Sequence, residues 1–397
     1  MNPTKLTIAV SIVLSVLATT LILPILAPLI RDLHLSVSQG GLMLSLGSIA
    51  MVLAAPLWGA VSDRHGRKSV IVIGFIGIFV GFSLFTLAVQ SGLNGGLTIT
   101  ATFVALTAAR ALTGAFLSAV PAGAQALMAD ITTEHDRSSG MAMIGAATGL
   151  GLVIGPALSG LLAAKGVVWP LLATITLCAA GAIVTALFLK REPAKSSASV
   201  QKMRLFSGEL RPWLLTGILL WVAVATTQIS AGFYFQDQLG LDTGAAASML
   251  SVALTLVGAT MFAVQVLQIR IMRLAPNILV ILGAAFWICG LALLLSANDA
   301  HSYYFSYALF GLGAGCLLPG VMAGASLAAG QAGQGVAAGL VSASQAIGFI
   351  VGPAVSTALY EWNNALPFWC LAALMVLLLL SFAVLTFRRQ MSARTQE

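Results

Sequence analysis

Charge is what this chain of 397 residues has least of: Asp, Glu, Lys and Arg make up 8% of it, where ordinary soluble domains carry about 25%. Apolar residues make up 59%, and the mean hydropathy is +1.00. A folded domain exposes a large share of its residues and tolerates only small apolar patches in water. The scarcity of charge therefore excludes a cytosolic enzyme, a nucleic-acid reader and a disordered chain, and makes lipid the main solvent. Cysteine is also scarce. Cys178, Cys289, Cys316 and Cys370 all fall in apolar runs, with no CxxC spacing and no neighbouring His. That excludes a zinc site or a disulfide framework and leaves them as small buried residues. His34, His65, His135 and His301 lie at loops or at the ends of apolar runs, and no acid or His pair sits within a run. Intramembrane catalysis needs such a constellation, so no enzyme is expected, and no metal or cofactor.

What is there is a series of long apolar runs. A helix needs about 20 apolar residues to cross a bilayer, and about twelve runs qualify: 7–30, 41–61, 69–90, 98–128, 139–163, 168–189, 212–235, 243–267, 276–297, 302–328, 335–359 and 366–387. Lipid cannot satisfy open backbone groups, so the runs are read as helices. They are too long and too little alternating for a membrane barrel. The first run exceeds the core of a signal peptide, about 7–15 residues, and is read as a retained span. The fold class is an all-α polytopic membrane protein.

The sparse cations set the topology. With both termini inside, the cytoplasmic side holds 16 of the 19 Lys and Arg; Arg31 and Lys165 fall outside, and Arg110 lies within a span. Cytoplasmic loops carry the positive excess, so this split also accounts for the net charge of +7 without a nucleic-acid partner. Residues 190–211, the longest polar stretch, are read as a cytoplasmic linker between six spans in 1–189 and six in 212–397. The halves repeat each other: Pro121 and Pro319 lie 198 positions apart, and Gly155 and Gly352 lie 197 apart. Near-equal offsets imply a duplicated unit. Duplicated parallel halves are an architecture of transporters that hold solute near the midplane.

Three motifs stand out. The loop after span 2 reads GAVSDRHGRKS, with Gly59, Asp63, Arg64, Gly66, Arg67 and Lys68. Gly66 permits a tight turn, Asp63 is placed to pair with Arg67, and such a cluster can fasten and release. Span 4 carries Arg110 four residues before Gly114, on a helical face shared with Leu117, Pro121 and Gln125. An Arg within a membrane costs at least ~2.5 kcal/mol and calls for a polar use. Span 5 carries Gly151, Gly155, Pro156 and Gly160, and span 11 repeats Gly348, Gly352 and Pro353. Glycines at four-residue spacing let helices approach closely, and the proline allows a bend, which together make a pivot.

The loop motif resembles the G-x-x-x-D-R-x-G-R-[RK] signature of the major facilitator superfamily. With the span 4 and span 5 motifs, the chain is similar over its whole length to that superfamily's 12-span drug:proton antiporters of the multidrug and tetracycline type. Ser159 stands where the span 5 pattern usually has Gly, and span 1 has Thr19, Thr20 and Pro24 where many proton-coupled relatives carry an acid. The resemblance implies two pseudo-symmetric six-helix bundles, alternating access, and proton-driven efflux of amphipathic drug-like molecules from a bacterial inner membrane. It also implies that Asp130 approaches Arg64 or Arg67, and that Arg110 serves proton coupling or substrate orientation. Export of a metabolite such as a siderophore, or nutrient import, is the alternative. No P-loop pattern occurs, so the energy source is expected to be the proton gradient rather than ATP. The polar and aromatic groups within spans mark the expected pocket: Gln125, Gln228, Phe233, Gln265 and Gln345. Asp32 and Asp237, at predicted outer ends, are the remaining candidates for proton carriage. The partners expected are a small-molecule substrate, protons and the bilayer, with the chain acting as a monomer.

Overall fold

The computed structural model describes residues 3–132, 137–189, 209–270 and 274–394; the expected linker 190–211 falls outside these except for its last three residues. In chain order the helices are α1 (Pro3–Thr20), α2 (Leu23–Asp32), α3 (Val37–His65), α4 (Arg67–Leu93), α5 (Ile99–Leu117), α6 (Ala119–Ile131), α7 (Arg137–Ala163), α8 (Val168–Phe188), α9 (Arg211–Leu239), α10 (Thr243–Arg270), α11 (Pro276–Ser296), α12 (Ala300–Trp362) and α13 (Leu366–Arg394). Among the described residues there is no strand, and 12 helical segments are long and apolar enough to span a membrane. The segments coincide closely with the apolar runs, because length and hydropathy alone define them.

Two spans are broken by proline. Span 1 divides into α1 and α2 around Leu21 and Ile22, just before Pro24, and span 4 divides at Ser118, just before Pro121. Proline lacks an N–H and crowds the carbonyl four residues earlier, which here is that of Thr20 or of Leu117. The straight-helix face expected to carry both Arg110 and Gln125 runs across the second of these breaks. Span ends are capped where the chain re-enters a helix. Ser36 and Gln39 form a reciprocal capping box on α3, Thr98 caps α5, and Asp299 accepts from the Ser302 N–H at 2.8 Å to start α12. Hydrogen bonds from Ser302 hold the Asp299 carboxyl below its ordinary value.

The chain forms two compact units, 1–200 with 235–255 and 201–234 with 256–397. In the first unit α1 lies on α7 and α8, α3 on α5, and α4 on α5 and α8. In the second, α11 packs on α12 and α13. α12 carries two spans, 300–329 and 339–362. A Cβ placed on Gly217 would stand 3.1 Å from Ser344 Cβ and 3.4 Å from Val321 Cγ1. In a straight helix Val321 and Ser344 would be about 35 Å apart, so α12 doubles back between them.

Large apolar side chains such as Leu53, Leu161, Leu187, Leu327 and Trp362 are exposed. Lipid, not water, suits such a surface. Cys178 and Cys316 are buried as expected, but Cys289 and Cys370 are exposed. Their apolar context reflected a lipid-facing surface rather than a core.

Candidate functional site

The loop between α3 and α4 is a single residue, Gly66, at φ 90° and ψ 150°. That is a left-handed conformation that glycine alone adopts readily. It ends α3 and starts α4 at once, delivering Arg67 to a buried position at the head of α4. The guanidinium is held from three sides: Nε donates to Asp130 Oδ2 at 3.0 Å, Nη1 donates to Ser62 Oγ at 3.1 Å, and Nη1 pairs with Asp63. α3, α4 and α6 therefore meet on one cation. Asp130 meets Arg67 and not Arg64, which is exposed. Lys68 Nζ donates to the Ala186 carbonyl at 2.7 Å and draws in the end of α8. Gly59 faces open space, since nothing lies within 4 Å of a Cβ built there. Glu134 and Asp136 lie outside the described residues.

A second polar cluster joins the ends of α2, α9 and α10. Arg31, in the last turn of α2, pairs with Asp237 of α9 at 2.5 Å. Its neighbour Asp32 accepts from Thr243 Oγ1, at the start of α10, at 2.7 Å. A cation at the C-terminus of α2 and an anion at the N-terminus of α10 are each favoured by the helix dipole. These contacts lie within the first unit, because residues 235–255 belong to it.

The span 5 glycines work as surfaces of close approach. A Cβ on Gly151 would stand 2.7 Å from Val16 Cβ, one on Gly155 would strike Thr20 Oγ1, and one on Gly160 would stand 2.7 Å from Ser251 Cβ. Span 11 does the same in the second unit: Gly348 abuts Trp221, and a Cβ on Gly352 would stand 2.7 Å from Ala225 Cβ. Pro156 and Pro353 both sit inside continuous helix.

Arg110 lies between α3, α4 and α5. Its stem rests on Gly47, where a Cβ would stand 2.9 Å from Arg110 Cγ, and its guanidinium carbon lies 6.0 Å from the Phe82 ring centroid. Gly114 lets α5 ride directly on the Gly47 carbonyl. Among the described residues no ion pair and no hydrogen bond reaches the Arg110 guanidinium. Of the expected pocket residues, Gln125 is exposed, while Gln228, Gln265 and Gln345 are half-buried. No side-chain hydrogen bond engages these amides among the described residues. Phe233 is fully buried, with its ring 6.1 Å from that of Tyr360, so it packs the second unit's core.

Sequence reasoning missed several buried polar groups. Gln268 Nε2 donates to the Gly315 carbonyl at 3.2 Å and Tyr307 Oη donates to the Thr227 carbonyl at 2.6 Å. Ser45 Oγ, Thr107 Oγ1 and Gln236 Oε1 are buried without a hydrogen-bond partner. Only an intramembrane position for Gln236 and Gln268 could have flagged them; Ser and Thr are too common in spans to stand out.

Twelve candidate spans, close glycine contacts in both units and a buried charge cluster at a one-residue turn define a polytopic membrane protein. The model of the Major Facilitator Superfamily matches residues 8–341, and the chain belongs to that superfamily; it is a transporter, not an enzyme. It is 29% identical over 209 residues to the class C tetracycline resistance protein of Escherichia coli, covering 52% of this chain and 49% of that protein. It is 29% identical over 195 residues to multidrug resistance protein 1 of Bacillus subtilis, covering 49% and 47%. The match thus spans about half the length of these relatives. The crystal structure of the nucleoside transporter NupG shares the fold at a TM-score of 0.77 and 15% identity, over 96% of this chain and 99% of that one.

Proposed function

We propose that this protein is a proton-coupled exporter of amphipathic, drug-like small molecules, working by alternating access in a bacterial inner membrane, as a monomer with both termini in the cytoplasm. The observation that carries the reading is the cluster of Asp63, Arg67 and Asp130. Burying a cation between two carboxylates seldom adds net stability, so a fastening that can be undone is the better reason for it. Undoing it frees α3, α4 and α6 at the cytoplasmic end, while the Gly155 and Gly352 contacts serve as pivots. The relatives named for tetracycline and multidrug resistance support the outward direction.

Asp32 and Asp237 are the proton-linked groups of this reading. A proton taken up by Asp237 removes the charge that holds Arg31, so proton entry from outside and loosening of the outer ends are one event. One proton crossing about one pH unit and about 100 mV supplies roughly 3.7 kcal/mol, enough for a solute gradient of roughly 500-fold. A second reading, transport of an anionic metabolite, is favoured by Arg110, a membrane-depth cation with no carboxylate beside it.

Efflux from vesicles containing the purified protein, under an imposed pH gradient and over a panel of solutes, tests the export reading. The expected result is uphill movement of unmodified solute that a protonophore abolishes. Movement that is only downhill and indifferent to the protonophore would overturn it.

A further inference from the structure

We propose that Trp58 and Gln268 are positioning residues that hold spans 4 and 10 beside their prolines. Each gives a side-chain N–H to a carbonyl that its own helix cannot satisfy, and so fixes the course of the half of the span beyond the proline. In the first unit that half carries Asp130 to Arg67. The proposal stands apart from the transport reading, because these bonds can be read whether or not a solute moves.

Three observations carry it. The first is at Pro319, inside α12. A proline has no N–H for the carbonyl four residues back, which here is that of Gly315. Gln268 Nε2, on α10, donates to that same carbonyl at 3.2 Å, with Cys316 Sγ at 3.7 Å. Freed backbone groups are costly within a bilayer, and partners from a neighbouring helix are what make a proline tolerable there.

The second is in span 4, where α5 ends at Leu117 and α6 begins at Ala119. A helix end leaves its last four carbonyls without a partner in the helix. The Ser118 N–H takes that of Phe116, and Trp58 Nε1, on α3, donates to that of Ala115 at 2.6 Å. The indole also lies 5.2 Å from the Phe116 ring. From this break α6 runs on to Asp130, which accepts from Arg67, so the angle held here decides where the carboxylate arrives.

The third is register. In each unit the two helices touch at a glycine: a Cβ on Gly114 would strike the Gly47 carbonyl, and one on Gly311 would stand 2.8 Å from Val257 Cα. Trp58 lies eleven residues beyond Gly47, and Gln268 lies eleven beyond Val257. An indole and an amide share neither shape nor size, only an N–H donor. The donor is therefore what this place on the helix requires.

Hydrogen exchange of the full-length protein in phosphatidylcholine nanodiscs, followed by mass spectrometry over 311–325 and 111–131, tests the proposal. Gln268→Met keeps the bulk of the side chain and loses its donor; it should speed exchange in 311–325 about tenfold or more. Pro319→Ala restores a backbone N–H for the Gly315 carbonyl, so adding Gln268→Met to it should leave exchange unchanged. Equal exchange in the unaltered protein and in Gln268→Met would overturn the proposal. So would an equal increment with proline or alanine at 319, which would make Gln268 a packing residue. If Gln268→Met folds only together with Pro319→Ala, the bond is upheld in a stronger form; failure with either residue at 319 overturns it. Trp58→Phe should speed exchange in 111–131 by about the same factor. The fall in thermal midpoint caused by Asp130→Asn should also be smaller in Trp58→Phe than in the unaltered protein, and equal falls would overturn the claim that Trp58 places Asp130.

Discussion

The two compact units are held together differently. The ion pairs on two buried or half-buried arginines lie in the first unit: Asp63 and Asp130 on Arg67, and Asp237 on Arg31. The second unit is held by rings. Trp287 stacks on Phe310 at 4.7 Å, Tyr307 meets Phe310 at 5.4 Å, and Tyr234 sits between Tyr303 and Phe368 at 6.3 and 5.1 Å. Both keep the same glycine contact, Gly155 on Thr20 and Gly352 on Ala225. Close small-residue contacts thus occur in both units, while what fills the remaining space differs. Ring packing is insensitive to pH and salt, whereas charge contacts respond to both.

Five substitutions probe this division, the largest effect first. Trp287→Ala should remove the centre of the ring stack and cost about 3–5 kcal/mol, read as a fall in the midpoint of thermal unfolding; a shift no larger than that of a surface substitution would show that the rings are not what holds the second unit. Arg67→Ala leaves two carboxylates facing each other and should cost about 3 kcal/mol. The milder Asp63→Asn should leave membrane insertion and thermal midpoint nearly unchanged while transport falls about tenfold or more. Transport surviving Asp63→Asn at full rate would deny the cluster its role as a fastening. At the bottom of the scale, a double-mutant cycle on Arg31→Ala and Asp237→Ala should give a coupling below about 1 kcal/mol, since both side chains are about a third exposed. The same variants should nonetheless alter transport rate and its dependence on external pH. A large coupling with an unchanged rate would make this pair scaffolding.

Much of this arrangement was legible in the sequence. Spans follow from hydropathy, and the Asp63, Gly66 and Arg67 turn follows from residue types at fixed spacing. The breaks in spans 1 and 4 follow from Pro24 and Pro121, though the straight-helix face from Arg110 to Gln125 ignored the second. What was not legible is contact at long range. Nothing in the chain announces that Arg31 meets Asp237, 206 positions on, or that Asp130 chooses Arg67 over Arg64. Phe233 was expected in a pocket wall and is core, because an aromatic in a span reads alike whether it faces a ligand, lipid or another ring. Ser45 and Thr107 became visible only once their hydroxyls were seen to lack the carbonyl partner that span hydroxyls normally take.

A joint of one residue has no slack. Because Gly66 closes α3 and opens α4 in the same step, neither helix can tilt without dragging the other, and the disturbance reaches α6 and α8 through Asp130 and Lys68. The four helices are thus geared together at one end, where a change of charge on a single carboxylate bears on all of them at once.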